Sequence, residues 1–284
     1  MKNLMCFTLL ICVLSGCGHS DTIIFSSGRA GNSDIYMMGD NGENVIRLTN
    51  SPKEEWAPTV LNENEITFLR EEEDGIKRYK LNMLTREQMH INHPNACLLD
   101  DKNVLYAPLS KRQLFQCDGN IYLADYNGNN ELNLTKGLEG RSFKASWFPD
   151  EESILFTNTY DGNKELYSIK PDGSSLNNIT NHPGNDEAGM VSPSGKYVVF
   201  SSDRDGSNNQ ELYILNLETN DLRNITNTPD WELIGRWSSD GNRIYFGSNK
   251  DGNWELYSYD LISESTKRLT NNDSFDGDPR ILRR

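Results

Sequence analysis

Four carboxylates recur at one place in this chain. Glu55, Asp186, Glu232 and Asp276 each lie five residues before the position that Trp147 and Trp237 hold in their own stretches, and the two remaining equivalents are His93 and Ser142. Three kinds of chemistry suit such a set. A carboxylate just ahead of a strand accepts hydrogen bonds from backbone N–H groups of an adjoining turn, and repetition is what that duty produces. A ring of acids also attracts a basic peptide or protein; Glu187 adds to the charge, and Trp56 and Trp231 supply the aromatic anchors that interfaces favour. Carboxylates are, thirdly, ligands for a hard cation such as calcium, although side chains facing one another across a channel stand far apart for one ion. The expected partner-binding set is Glu55, Trp56, His93, Asp186, Glu187, Trp231, Glu232 and Asp276, with no metal site and no cofactor.

Groups for catalysis are sparse. No Gly-x-Ser-x-Gly elbow and no Cys/His pair in a recognisable frame occurs, so no catalytic residue is expected. The histidines after position 16 are His19, His90, His93 and His182, and the Asn-His-Pro context shared by His93 and His182 is explained by repetition. Asp161, Asp205 and Asp251, each followed by Gly, lack the further carboxylates of an EF-hand loop and read as hairpin turns.

The elements that position these residues come from an internal repeat. An apolar residue followed by Thr recurs at Leu48-Thr49, Leu134-Thr135, Ile179-Thr180, Ile225-Thr226 and Leu269-Thr270, with Thr spacings of 86, 45, 46 and 44. The first spacing is double the others, which places a degenerate copy at His90-Ile91-Asn92-His93-Pro94 and makes six copies. Each copy carries four short strands joined by Asp-Gly or Asn-Gly turns, clearest in Arg236-Trp237, Arg243 to Phe246, Glu255 to Tyr259 and Thr266 to Leu269. A four-stranded repeat of about 44 residues is a propeller blade. The predicted fold is all-β, a six-bladed β-propeller of antiparallel four-stranded blades over residues 22–284. The first strand of one blade is supplied from the C-terminus, so pairing of 278–283 with 22–27 closes the ring and removes open sheet edges.

Ahead of the repeat, Lys2, an apolar run from Leu4 to Leu14 and Ser15-Gly16-Cys17 follow in the order of a secretory signal peptide. Eleven apolar residues fall short of the roughly twenty that span a bilayer. The stretch Leu14 to Cys17 resembles a lipobox, which implies removal of residues 1–16, lipid on Cys17 and a linker over 17–21. Gly18 rather than Asp after the cysteine favours the outer membrane of a Gram-negative cell. Loss of residues 1–16, with one Lys and no acid, moves the formal charge from −14 to −15. A surface so acidic repels nucleic acid and anionic lipid. Of the remaining cysteines, the alignment puts Cys97 on a first strand and Cys117 near the start of a third. Strands two apart are separated by roughly 9.5 Å, beyond disulfide reach, so two unpaired thiols are expected unless a loop distorts the blade.

The run Trp/Ser/Pro/Asp/Gly, a strand, Asp-Arg-Asp-Gly, Leu-Tyr and then Leu/Ile-Thr-Asn is similar to the propeller repeat of the TolB family. The resemblance covers nearly all of residues 22–283. It implies a binding or scaffold role in the cell envelope and a protein partner, a Pal-like lipoprotein being the kind that TolB binds; that the role is non-catalytic is expected from the sparsity of catalytic groups, since proteins with this repeat include enzymes. TolB also carries an α/β domain ahead of its propeller, for which this chain has no room. The oligogalacturonate lyases, which share this repeat style, hold a metal through several histidines, whereas only His93 and His182 fall on the loop-rich face here. An alternative role is recognition or cleavage of carbohydrate, for which Trp56, Phe143, Trp231 and Phe275 near the channel mouth are the relevant side chains.

Overall fold

The computed structural model describes residues 20–92, 104–160, 162–206 and 209–282. The expectations for Cys17, His93, Cys97 and Asp161 lie outside the described residues. All regular structure among these residues is β. The chain begins with β1 (Thr22–Ser27), β2 (Asp34–Gly39) and β3 (Ile46–Arg47). The second blade holds β4 (Glu55–Val60), β5 (Glu65–Glu72), β6 (Gly75–Asn82) and β7 (Gln88–Ile91), and the third β8 (Leu105–Ala107), β9 (Arg112–Cys117), β10 (Asn120–Asp125) and β11 (Leu132–Asn133). Next come β12 (Ser142–Trp147), β13 (Ile154–Asn158), β14 (Glu165–Ile169) and β15 (Asn177–Asn178), followed by β16 (Asp186–Val191), β17 (Tyr197–Ser202), β18 (Glu211–Asn216) and β19 (Leu222–Asn224). The sixth blade is β20 (Glu232–Trp237), β21 (Arg243–Ser248), β22 (Glu255–Asp260) and β23 (Ser265–Arg268); β24 (Asp276–Leu282) then returns to the first blade.

Six four-stranded antiparallel sheets result, and β24 pairs with β1 from Thr22↔Leu282 to Ser27↔Asp276. The closing strand thus begins two residues earlier than the repeat suggested. Second strands such as Ile154–Asn158 are buried throughout, because each blade packs both faces against neighbours and a strand so placed reads as an apolar run. Five apolar clusters bridge adjacent blades; one joins Val199 and Leu212 to Trp237, Ile244 and Phe246. Every blade also sets a Phe of its second strand against a Tyr of its third, from Phe25–Tyr36 to Phe246–Tyr257, with ring centroids 5.4–6.0 Å apart.

The third blade corrects the cysteine expectation. Cys117 is disulfide-bonded rather than a free thiol. It ends the second strand of its blade, β9, rather than starting the third.

Candidate functional site

The Leu/Ile-Thr pair ends five of the blades in a defined way. The Thr hydroxyl accepts the N–H of the second residue of the third strand, as in Ile35 to Thr49 at 2.9 Å, Leu212 to Thr226 at 2.9 Å and Leu256 to Thr270 at 2.8 Å. The same hydroxyl donates to the residue that starts that strand, Asp34, Glu165 or Glu211. Beyond it, the connection to the next blade is held by an Asn from the turn between second and third strands. Asn32, Asn163, Asn209 and Asn253 each donate through Nδ2 to two carbonyls of that connection, at 2.6–3.0 Å. Interblade connections and these turns therefore share one face, as expected from strand alternation.

The expected acidic ring sits under this face. Glu55, Asp186, Glu232 and Asp276 begin the inner strands β4, β16, β20 and β24, and all are 0% exposed. Arg70 reaches Glu55 at 2.5 Å, Arg204 reaches Asp186 at 2.5 Å and Arg29 reaches Asp276 at 2.7 Å. The three guanidiniums also lie over the Phe and Tyr rings of their blades, at 4.1–5.5 Å. Ser142, the neutral member, accepts a hydrogen bond from Asn158. Burial raises the carboxyls of Glu55, Asp186 and Asp276 despite these partners. Glu232 has hydroxyls in place of an Arg, Ser248 at 2.7 Å and Thr228 at 2.9 Å; burial first, and then the neighbouring Glu211, push it up to about 7. The four acids are thus bonded inside the blades, and their partners are side chains rather than the backbone N–H groups of an adjoining turn.

Glu187 behaves differently. Burial opposes its ionisation, but Lys144 at 2.6 Å, Lys164 at 2.8 Å and Gln210 at 2.6 Å outweigh burial and hold it down at about 2. What the face does present is aromatic and acidic side chains at the blade tops. Trp231 is 41% and Phe275 45% exposed. Trp56 lines a groove with Ser33, Glu54, Glu71 and Ile76, at the base of the long β5–β6 hairpin, whose tip exposes Glu71, Glu73 and Asp74. Glu54 and the hairpin acids were not among the expected site residues; the unbroken Glu71-Glu72-Glu73-Asp74 run was the available signal. A second concavity, of about 320 Å³, lies among the inner strands and is lined by Phe143, Lys144, Met190, Arg236 and Arg280 among others.

Comparison with known proteins places this geometry. The TolB beta propeller domain model matches residues 175–283. A TolB homolog from Chlorobaculum tepidum is 31% identical over 120 residues, 40% of this chain and 27% of that protein. TolB from Acinetobacter baumannii superposes with a TM-score of 0.75 at 16% identity, over 92% of this chain and 66% of that one. A putative TolB from Agrobacterium tumefaciens gives 0.71 at 16% identity, over 94% and 99%. This chain is a TolB-like six-bladed propeller.

The TolB-like propeller spans about a quarter of the length of the curated homolog it matches. Its His182 accepts the N–H of Gly184 through Nδ1 at 2.9 Å, a turn contact. Asp251 accepts Tyr257 Oη–H at 2.6 Å and pairs with Arg268, and Asp205 accepts the Asn224 amide, in keeping with turn roles for both.

Proposed function

We propose that this TolB-like propeller is a non-catalytic binding module of the bacterial cell envelope, tethered through lipid on Cys17, whose loop face docks a protein with a basic contact surface. A Pal-like lipoprotein is the partner class that the TolB resemblance suggests. One observation carries the reading: the face presents Trp56 in a groove with Glu54 and Glu71, a pairing of aromatic surface and acid that suits a Lys or Arg side chain. Trp231 and Phe275 extend the aromatic surface. The buried acids Glu55, Asp186, Glu232 and Asp276 contribute by fixing the connections from which these side chains project, and Glu187 by tying down Lys144 and Lys164.

The test is capture from detergent-solubilised envelope with the lipidated protein as bait. Trp56→Ala and the pair Glu54→Gln with Glu71→Gln are expected to lose at least 80–90% of captured partner, roughly tenfold in affinity, with unchanged thermal unfolding. Capture that survives all three substitutions sinks the docking reading. Retention of glycans in place of protein, lost with Trp231→Ala or Phe143→Ala, would favour a carbohydrate-recognising propeller.

A further inference from the structure

The repeat accounts for most buried polar residues of this molecule, so the informative ones are those it does not demand. At the fifth residue of the inner strands, β4, β12 and β16 carry Thr59, Ser146 and Met190, whereas β20 and β24 carry Arg236 and Arg280. At the third residue, Ala57, Ala188 and Ile234 have Lys144 and Asp278 as counterparts. That third residue has positive φ in all five strands, 50–61°, and marks a bulge where pairing with the second strand shifts. Bulges re-aim side chains and recur beside binding sites. Here they turn the inner strands toward a cavity of about 320 Å³.

The cavity inverts the charge of its surroundings. The chain as a whole has a formal charge of −14, yet among the described residues the lining carries Arg141, Lys144, Arg236 and Arg280 and one acid, Asp278. Lys144 is held by Glu187. Arg236 donates through Nη1 to the carbonyl of Gly235 at 3.2 Å; its buried Nε has no hydrogen-bond partner, and among the described residues no carboxylate lies within ion-pair distance. Burial, and then Arg280, press the guanidinium well below its ordinary affinity for a proton. The guanidinium is part-buried with donor capacity left over, and the Asp278 carboxylate counters burial and Arg280 without coming within ion-pair distance. Apolar walls from Phe115, Phe143 and Met190 complete the lining. Such a lining, a few polar groups in a mostly apolar concavity at the small end of the roughly 300–1,000 Å³ range, is that of a small-ligand site.

We propose that the central cavity binds a compact organic carboxylate, with Arg236 as the principal anion-holding residue and Phe115, Phe143 and Met190 enclosing the apolar body. A planar guanidinium accepts a carboxylate on two N–H groups, and the water-poor cavity strengthens that pairing. The site is independent of the docking groove, so its failure would leave the envelope-partner reading untouched.

The experiment uses the whole chain and a panel of benzoate, phenylacetate and succinate, each matched with its amide, followed by calorimetric titration and thermal shift. At least one carboxylate is expected to bind and raise the Tm in a concentration-dependent way, its amide at least tenfold more weakly. Arg236→Gln is expected to weaken the carboxylate at least tenfold while leaving the Tm of the unliganded protein equal or higher. Silence of the wild type toward the whole panel overturns the proposal, as does equal binding of acid and amide. Loss of folding in Arg236→Gln would assign the guanidinium a structural role and overturn it too; Arg236→Lys, which keeps the charge, then serves to confirm that loss.

Discussion

Lys250 is what separates Glu232 from its three counterparts. After the second strand, Ser27-Gly28-Arg29 and Ser202-Asp203-Arg204 each send an Arg to the inner acid, whereas in Ser248-Asn249-Lys250 the shorter ammonium rests on the Tyr257 ring at 4.2 Å. Glu232 therefore keeps a carboxyl raised from 4.5 to about 7 by burial and then by Glu211. A folded pKa above the unfolded one means that the native state retains a proton that the unfolded chain has released. The associated stability is full below about pH 4.5 and is lost as pH rises through 7. Glu232→Gln should accordingly match the wild type in urea unfolding near pH 4.5 and exceed it by about 1–3 kcal/mol at pH 8; equal stability at both pH values would refute the assignment. Asp186→Asn should act in the opposite direction, costing about 3–5 kcal/mol at pH 7, because it leaves the Arg204 guanidinium buried without its anion. The acids themselves were legible as a repeated position. Their burial was not, since counting along a strand gives the depth of a residue in the ring but not whether its side chain faces the channel or the neighbouring blade. The Ser-x-Arg signal, present wherever the acid is strongly paired in the first and fifth blades and absent where Ser142 replaces it, was available in the sequence and marks the pairing.

At the scale of the element, the same contrast holds between place and purpose. The spacing of Leu/Ile-Thr located the outer strand of five blades, yet why Thr stands there follows only from its position opposite the third strand. Its hydroxyl takes one backbone N–H and gives one hydrogen bond to a carboxylate, so a single side chain closes the sheet and neutralises a buried acceptor. Thr226→Val keeps the shape and removes both bonds to Leu212 and Glu211. Leaving those groups unsatisfied should cost about 1–3 kcal/mol, visible as a lower urea midpoint at unchanged slope; an unchanged midpoint would show that water replaces the hydroxyl without penalty. The inner-strand bulges were not legible, because positive φ is carried by Ala57, Lys144, Ala188 and Ile234 as well as Asp278, and of these residue types only Asp is enriched in the left-handed region.

The whole molecule depends on a ring whose closure was readable from the two ends of the chain, each supplying part of one blade. The third blade was the least readable because its copy is degenerate; the alignment placed Cys117 one strand too late, at the start of the third strand instead of the end of the second. The described residues also lack a shared apolar cluster between second and third blades, where Arg78, Thr67 and Gln113 are each 0% exposed instead. The ring is completed by its closing strand. Removal of residues 276–284 would strip β1 of its partner from Thr22 to Ser27, remove Asp276 from Arg29 and uncover Ile23 and Phe25, which are 0% exposed in the closed ring. An unpaired apolar strand is a template for association with other chains. The truncated protein should therefore elute as soluble aggregate or precipitate, and its thermal transition should broaden or vanish. Recovery of a monomer with a sharp transition near that of the full chain would mean that the five intact blades hold the ring without the closing strand.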